Sequence, residues 1–127
     1  SSAIDALMDV LGLDESYRQR TSCTLYTLEL HVHFLREVKQ SDALEIRVRV
    51  LGADRKRLLV ALDMYTAGSA EAAASAEFML LHVRQGATPA AMGFPADVAA
   101  AIGRLRDATA ASPAIGPGSR QLELRGR

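Results

Sequence analysis

The chain is 127 residues long and carries 15 Lys and Arg against 15 Asp and Glu. That length predicts one domain. Zero formal net charge argues against bulk electrostatic binding to nucleic acid or to a membrane surface. It also leaves little repulsion between copies, which suits a homo-oligomer.

A hydrophobic content of 49% with a mean hydropathy of +0.05 predicts a soluble domain with a core. No apolar run is long enough to cross a bilayer. No charged-then-apolar signal opens the chain. The single cysteine, Cys23, has no partner for an internal disulfide. A buried, inert thiol in a cytoplasmic protein is predicted. The chain starts Ser1-Ser2-Ala3, directly in a helical pattern and without an initiator Met, as a processed or partial product would.

Residues 1–11 read as a helix, because Ile4, Leu7, Met8 and Leu11 follow the i, i+3, i+4, i+7 spacing. Ser1 or Ser2 suits its N-cap, Asp5 its positive end, and Gly12 its C-cap. The polar run 14–22 reads as a connection with at most one helical turn. Residues 24–38 carry the longest strand periodicity. Tyr26, Leu28, Leu30, Val32 and Phe34 alternate with Thr27, Glu29, His31 and His33, which predicts one buried apolar face and one polar row. Residues 39–42 are a turn. Residues 43–51 form a second strand, with Leu44, Ile46, Val48 and Val50 inward and Glu45, Arg47 and Arg49 outward. Residues 52–56 form a polar loop. A third strand follows over 57–66, with Leu58, Val60, Leu62 and Met64 on one face. The chain turns at 67–71, and a fourth strand runs from about Ala74 to Val83. Connections this short predict antiparallel hairpins. After a loop at 85–94, Pro95 opens a last helix whose stripe is Val98, Ile102 and Leu105. Residues 110–118 are rich in Ala, Ser, Pro and Gly and read as mobile. The whole is an α+β domain, an antiparallel sheet covered by the first helix.

Four stretches carry a family resemblance. They are D-A-L-M-D-V-L-G-L-D at 5–14, L-Y-T-L-E-L-H-V-H-F-L-R-E-V-K at 25–39, L-G-A-D-R-K-R-L at 51–58 and E-F-M-L-L-H-V at 77–83. The chain resembles the hotdog-fold acyl-CoA thioesterases of the 4-hydroxybenzoyl-CoA type, and most of all the betainyl-CoA thioesterases of carnitine breakdown. The resemblance implies an antiparallel sheet wrapped on a central helix over 1–109, with a flexible tail over 110–127. It implies a first strand, and a loop of the type W-x-D-Y-N-G-H, ahead of the helix; no such pattern occurs in these residues. It also implies hydrolysis of a small acyl-CoA thioester without cofactor or metal, in a homodimer or larger homo-oligomer. Arg84 stands where the family tends to have Asp, and Leu59 where a His is common.

Thioester hydrolysis needs an activated water and a stabilised oxyanion. Glu29 is the candidate base or orienting carboxylate and His31 its support, with Tyr26 and Thr27 beside the substrate. From spacing alone, the same row reads equally as a polar sheet face. Its H-x-H spacing also suits a metal, with His82 and Glu29 or Glu77 as further ligands, but no set closes. Arg55, Lys56 and Arg57, with Arg36 and Lys39 near, are candidate donors to the phosphates of CoA. Tyr26 is the aromatic best suited to a trimethylammonium group, whereas Phe34 is expected in the core. A non-catalytic acyl-CoA-binding or assembly module is the alternative. A hotdog lyase or dehydratase would need a His entering the helix, and residues 1–22 hold none.

Overall fold

The structure is a computed structural model, which describes residues 2–37, 44–110 and 124. The expected turn at 39–42 and the N-cap at Ser1 lie outside the described residues, as does all of the expected tail except Ala110 and Leu124.

Helix α1 (Ser2–Leu11) buries the predicted stripe, with Leu7, Met8 and Leu11 all inside. It ends as its sequence requires. Gly12 takes φ +84°, a conformation open to glycine without strain. The Leu13 N–H then bonds the Met8 carbonyl at 2.8 Å and the Gly12 N–H bonds that of Asp9 at 3.2 Å. This is the paired closure of a Schellman motif, with Met8 and Leu13 buried over it. The run read as a connection is in fact a helix, α2 (Glu15–Thr21). Its N-cap is Asp14, whose side chain accepts from the Tyr17 N–H at 2.9 Å.

The sheet comprises β1 (Cys23–Phe34), β2 (Leu44–Ala53), β3 (Arg57–Thr66), β4 (Ala74–Arg84) and the two-residue β5 (Ala90–Ala91). The order is β1-β4-β3-β2, with β5 paired to β4, and every pairing is antiparallel. β1 is therefore an edge strand. Helix α3 (Ala96–Thr109) packs beside α1 along β2. There the Thr109 hydroxyl accepts from the Val50 N–H at 3.1 Å, which covers part of the β2 edge.

One face of the sheet meets the helices. Val50, Leu58, Val60 and Leu80 pack against Leu7, Met8, Leu11, Val98 and Ile102 there. Each such side chain contributes about 1.5–3 kcal/mol on burial. On the far face a smaller cluster joins Leu59 and Met79 to Leu51 and Leu124.

β1 departs from simple alternation. Its pairing with β4 slips between Thr27 and Glu29, a bulge that leaves Leu28 unpaired. Before the slip Cys23 and Leu25 pack into the helix-side core. After it Leu30, Val32 and Phe34 stand opposite Phe78, Ala76 and Ala74. The apolar set Tyr26 to Phe34 is therefore not one continuous face, and it is not buried. Leu30 and Val32 are about half exposed, and Phe34 is 84% exposed rather than in the core. α1 does not reach that end of the sheet. Leu44 and Ile46 are likewise open where burial was expected, for the same reason.

Candidate functional site

The register builds the far face row by row. Tyr26, Leu81 and Arg57 lie across from one another, then Glu29, Met79 and Leu59. The next row is His31, Glu77, Ala61 and Arg49, and the next His33, Ser75, Asp63 and Arg47. Glu29 and His31 thus come together as expected. His31 Nε2 is 3.6 Å from Glu29 Oε2, with the Glu29 side chain 60% exposed. Thr27 sits at the bulge, opposite Leu80, and is exposed.

Beside this pair lies a buried polar floor that the sequence reading missed. Arg49 Nε donates to Asp63 Oδ2 at 2.5 Å and Nη2 donates to Oδ1 at 3.1 Å. The Ser75 hydroxyl donates to the same Oδ1 at 2.7 Å. All three residues are buried, and Glu77 is fully buried beside them. The hydrogen bonds from Arg49 to Asp63 outweigh the opposing effect of burial and raise the guanidinium pKa, and Glu77 adds to that field. Arg49 does face away from the helices as expected, but its side chain is buried there, paired with Asp63. The signal available in the sequence was a single carboxylate inside each of two apolar strands, Asp63 in L-L-V-A-L-D-M and Glu77 in A-S-A-E-F-M-L.

The basic hairpin lies at the Tyr26 end of the same face. Arg57 Nη2 and Nε meet Asp54 Oδ2 at 2.7 and 2.8 Å. The N–H groups of Lys56 and Arg57 donate to Asp54 Oδ1 at 3.0 and 2.7 Å. Burial pushes the Asp54 carboxyl up, but these four donors prevail and hold it below the usual carboxylate range. Arg57 is thus partly committed to the tip, and Arg55 is exposed against Gly93. Arg36 is paired with Glu71.

His82 is far from the other histidines. It lies on the helix side, where the Met92 carbonyl accepts from Nδ1 at 2.9 Å. That bond fixes the tautomer of the neutral ring and leaves Nε2 to accept from the Tyr17 hydroxyl at 3.0 Å. Burial raises the Tyr17 pKa, and Cys23 adds to the rise. Among the described residues no three His, Cys, Asp or Glu side chains converge as metal ligands.

A groove of about 460 Å³ opens on the helix side, past the start of α1. Val32, Phe34, Ile46, Met64 and Phe78 line it, with Arg36 and Glu37 at its side. The sheet separates it from Glu29 and His31. Among the described residues no helix is long and apolar enough to cross a membrane.

Comparisons with known proteins agree with the architecture. The family model described as the thioesterase-like superfamily matches residues 1–102. The chain is 42% identical over 113 residues to the betainyl-CoA thioesterase of Pseudomonas aeruginosa, covering 89% of this chain and 70% of that one. It is 41% identical over 81 residues to the L-carnitine dehydrogenase/betainyl-CoA thioesterase of Agrobacterium fabrum, covering 64% of this chain and only 16% of that longer protein. A Staphylococcus aureus protein solved in complex with CoA superposes with a TM-score of 0.81 at 22% identity, over 98% of this chain and 77% of that one, which is a likeness of fold. The hotdog arrangement expected from the sequence is the one found, and the chain belongs to the thioesterase-like superfamily.

Proposed function

We propose that the chain hydrolyses a small acyl-CoA thioester to the free acid and CoA, with betainyl-CoA the first ester to test. The observation that carries this reading is the Glu29–His31 pair, 3.6 Å apart on a fixed polar floor, in a chain 42% identical to a betainyl-CoA thioesterase. Glu29 draws a proton from water as it attacks the thioester carbonyl, and His31 supports the carboxylate. Tyr26 borders the acyl group from the neighbouring row, whereas Thr27, opposite Leu80, falls on the other face of the sheet and does not join it. Arg55, Lys56 and Arg57 meet the phosphates of CoA. No cofactor takes part. A second copy closes the site by pairing along the open edge of β1, and the enzyme works as a homodimer or larger homo-oligomer in the cytoplasm.

The test is thiol release from a panel of acyl-CoA esters. Glu29→Gln should lower kcat by a factor of about 10². Wild-type turnover in that variant removes Glu29 from the mechanism.

One observation favours a second reading, a non-catalytic acyl-CoA-binding module. An acyl group lodged in the helix-side groove would lie across the sheet from Glu29 and His31. Acyl-CoA that raises the melting temperature without thiol release selects that reading.

A further inference from the structure

His82 has almost no exposed surface, yet its neighbours on the helix side of β4, Phe78 and Leu80, are apolar and pack in the core. A buried imidazole is costly unless its ring nitrogens find partners. Both do here, and the partners lie on different elements. Nδ1 donates to the Met92 carbonyl at 2.9 Å, just beyond β5. Nε2 accepts from the Tyr17 hydroxyl of α2 at 3.0 Å. The Tyr17 and Phe94 rings also neighbour it, with centroids 6.0 and 5.1 Å away.

The bonds continue from His82 to the basic hairpin. Its own N–H donates to the Lys56 carbonyl, and its own carbonyl accepts from the Met92 N–H, both at 2.9 Å. The Phe94 N–H in turn donates to the Arg55 carbonyl at 2.9 Å. Gly93 lies against the Arg55 side chain, so close that a Cβ there would stand 3.1 Å from Arg55 Nη1. β5 pairs with β4 over only two residues, so the run Met92-Gly93-Phe94 relies on these bonds for its place. The Arg55 backbone is thus fixed through Phe94, and its guanidinium rests on Gly93. Arg57, by contrast, is tied to Asp54 within the tip.

We propose that His82, with Tyr17 behind it, is a positioning residue for Arg55 in binding the phosphates of CoA. The His82–Met92 bond sets the place of Gly93, and Gly93 sets the direction of the Arg55 guanidinium. A charge-assisted bond from that planar group to a phosphate needs a set direction. An apolar side chain in place of the imidazole would fill the space and release Met92 and Tyr17 from their shared partner. The proposal rests on the phosphate-binding reading of the hairpin, and the test separates the two.

Thiol release is compared for two esters of the same acyl group, one of CoA and one of pantetheine, which carries no phosphate. Arg55→Ala should raise KM for the CoA ester about 10-fold and leave the pantetheine ester unaffected. If it changes neither KM, the phosphate-binding reading falls and the proposal with it. His82→Leu should raise KM for the CoA ester about 5- to 10-fold, with kcat and the pantetheine KM unchanged. His82→Asn, whose amide can still donate to the Met92 carbonyl, should recover most of that loss. Equal losses on both esters would make His82 a structural residue only and overturn the proposal. So would an unchanged KM in His82→Leu beside a raised one in Arg55→Ala. Where His82→Leu does not fold, Tyr17→Phe decides by the same comparison, with a rise of about 2- to 5-fold expected for the CoA ester alone. Where the wild type cleaves neither ester, the Kd values of CoA and pantetheine replace the two KM values, and a chain that does not bind CoA ends both readings.

Discussion

The Asp63 carboxylate is saturated by three donors inside the far face, and that has an energetic consequence at the residue scale. Removing one member of a buried ion pair leaves the other uncompensated, at a cost of about 3–5 kcal/mol, whereas replacing both with apolar groups is often neutral or better. Arg49→Met should therefore destabilise strongly in urea melts, and Arg49→Met with Asp63→Leu should recover most of the loss. Asp54 shows the opposite, surface case. Its folded pKa lies below the ordinary value of 3.8. Its contribution is present above the usual carboxylate range and is lost as pH falls through it. The melting-temperature deficit of Asp54→Asn should be largest near pH 7 and shrink toward about pH 3. Few of these contacts were legible in the sequence. Alternation said which way Arg49 points, but whether that direction meets solvent depends on what lies over the sheet. The Tyr17–His82 bond joins residues 65 apart in sequence, and no local pattern carries it.

At the scale of elements, β2, β3 and β4 were readable because the two-residue period matched their pairing closely. α2 was not, since its seven residues offer Tyr17 alone to the core and no apolar stripe. Its signal was the cap, Asp14 three residues before Tyr17. β1 is read over 24–38 where the strand runs Cys23–Phe34, and its phase is wrong ahead of the bulge. Periodicity counts residues, and a bulge adds one without changing composition. Three members of the polar row, Glu29, His31 and His33, stay together because they follow the slip, and Thr27, ahead of it, falls on the other face. The apolar row is broken likewise, because Tyr26 precedes the slip.

For the whole molecule, the uncovered end of the sheet matters most. Leu30, Val32, Phe34, Leu44 and Ile46 expose apolar surface around the groove. β1 presents a strand of 12 residues at one edge of the sheet. Such an edge is a template for pairing with another chain. Val32→Lys should lower the sedimentation coefficient toward that of a monomer, and thiol release should fall in parallel if the site needs a second copy. A monomer with full activity would confine the chemistry to one chain. Zero net charge was consistent with association from the outset, but only the pairing order identified the strand that would carry it.

The slip at Leu28 acts as a phase shifter in a periodic code. Ahead of it odd-numbered residues of β1 look toward the helices, and behind it even-numbered ones do. Loss of this one residue would turn the bulge into a regular ladder, because Thr27 and Glu29 already stand opposite the consecutive residues Leu80 and Met79. Glu29 and His31 would stay over the polar floor, and Leu30 and Val32 on the oily side. In this strand the side on which a residue acts is therefore set by the β4 residue it opposes, and the extra residue is what lets Tyr26 and Glu29, an odd number of positions apart, share a face.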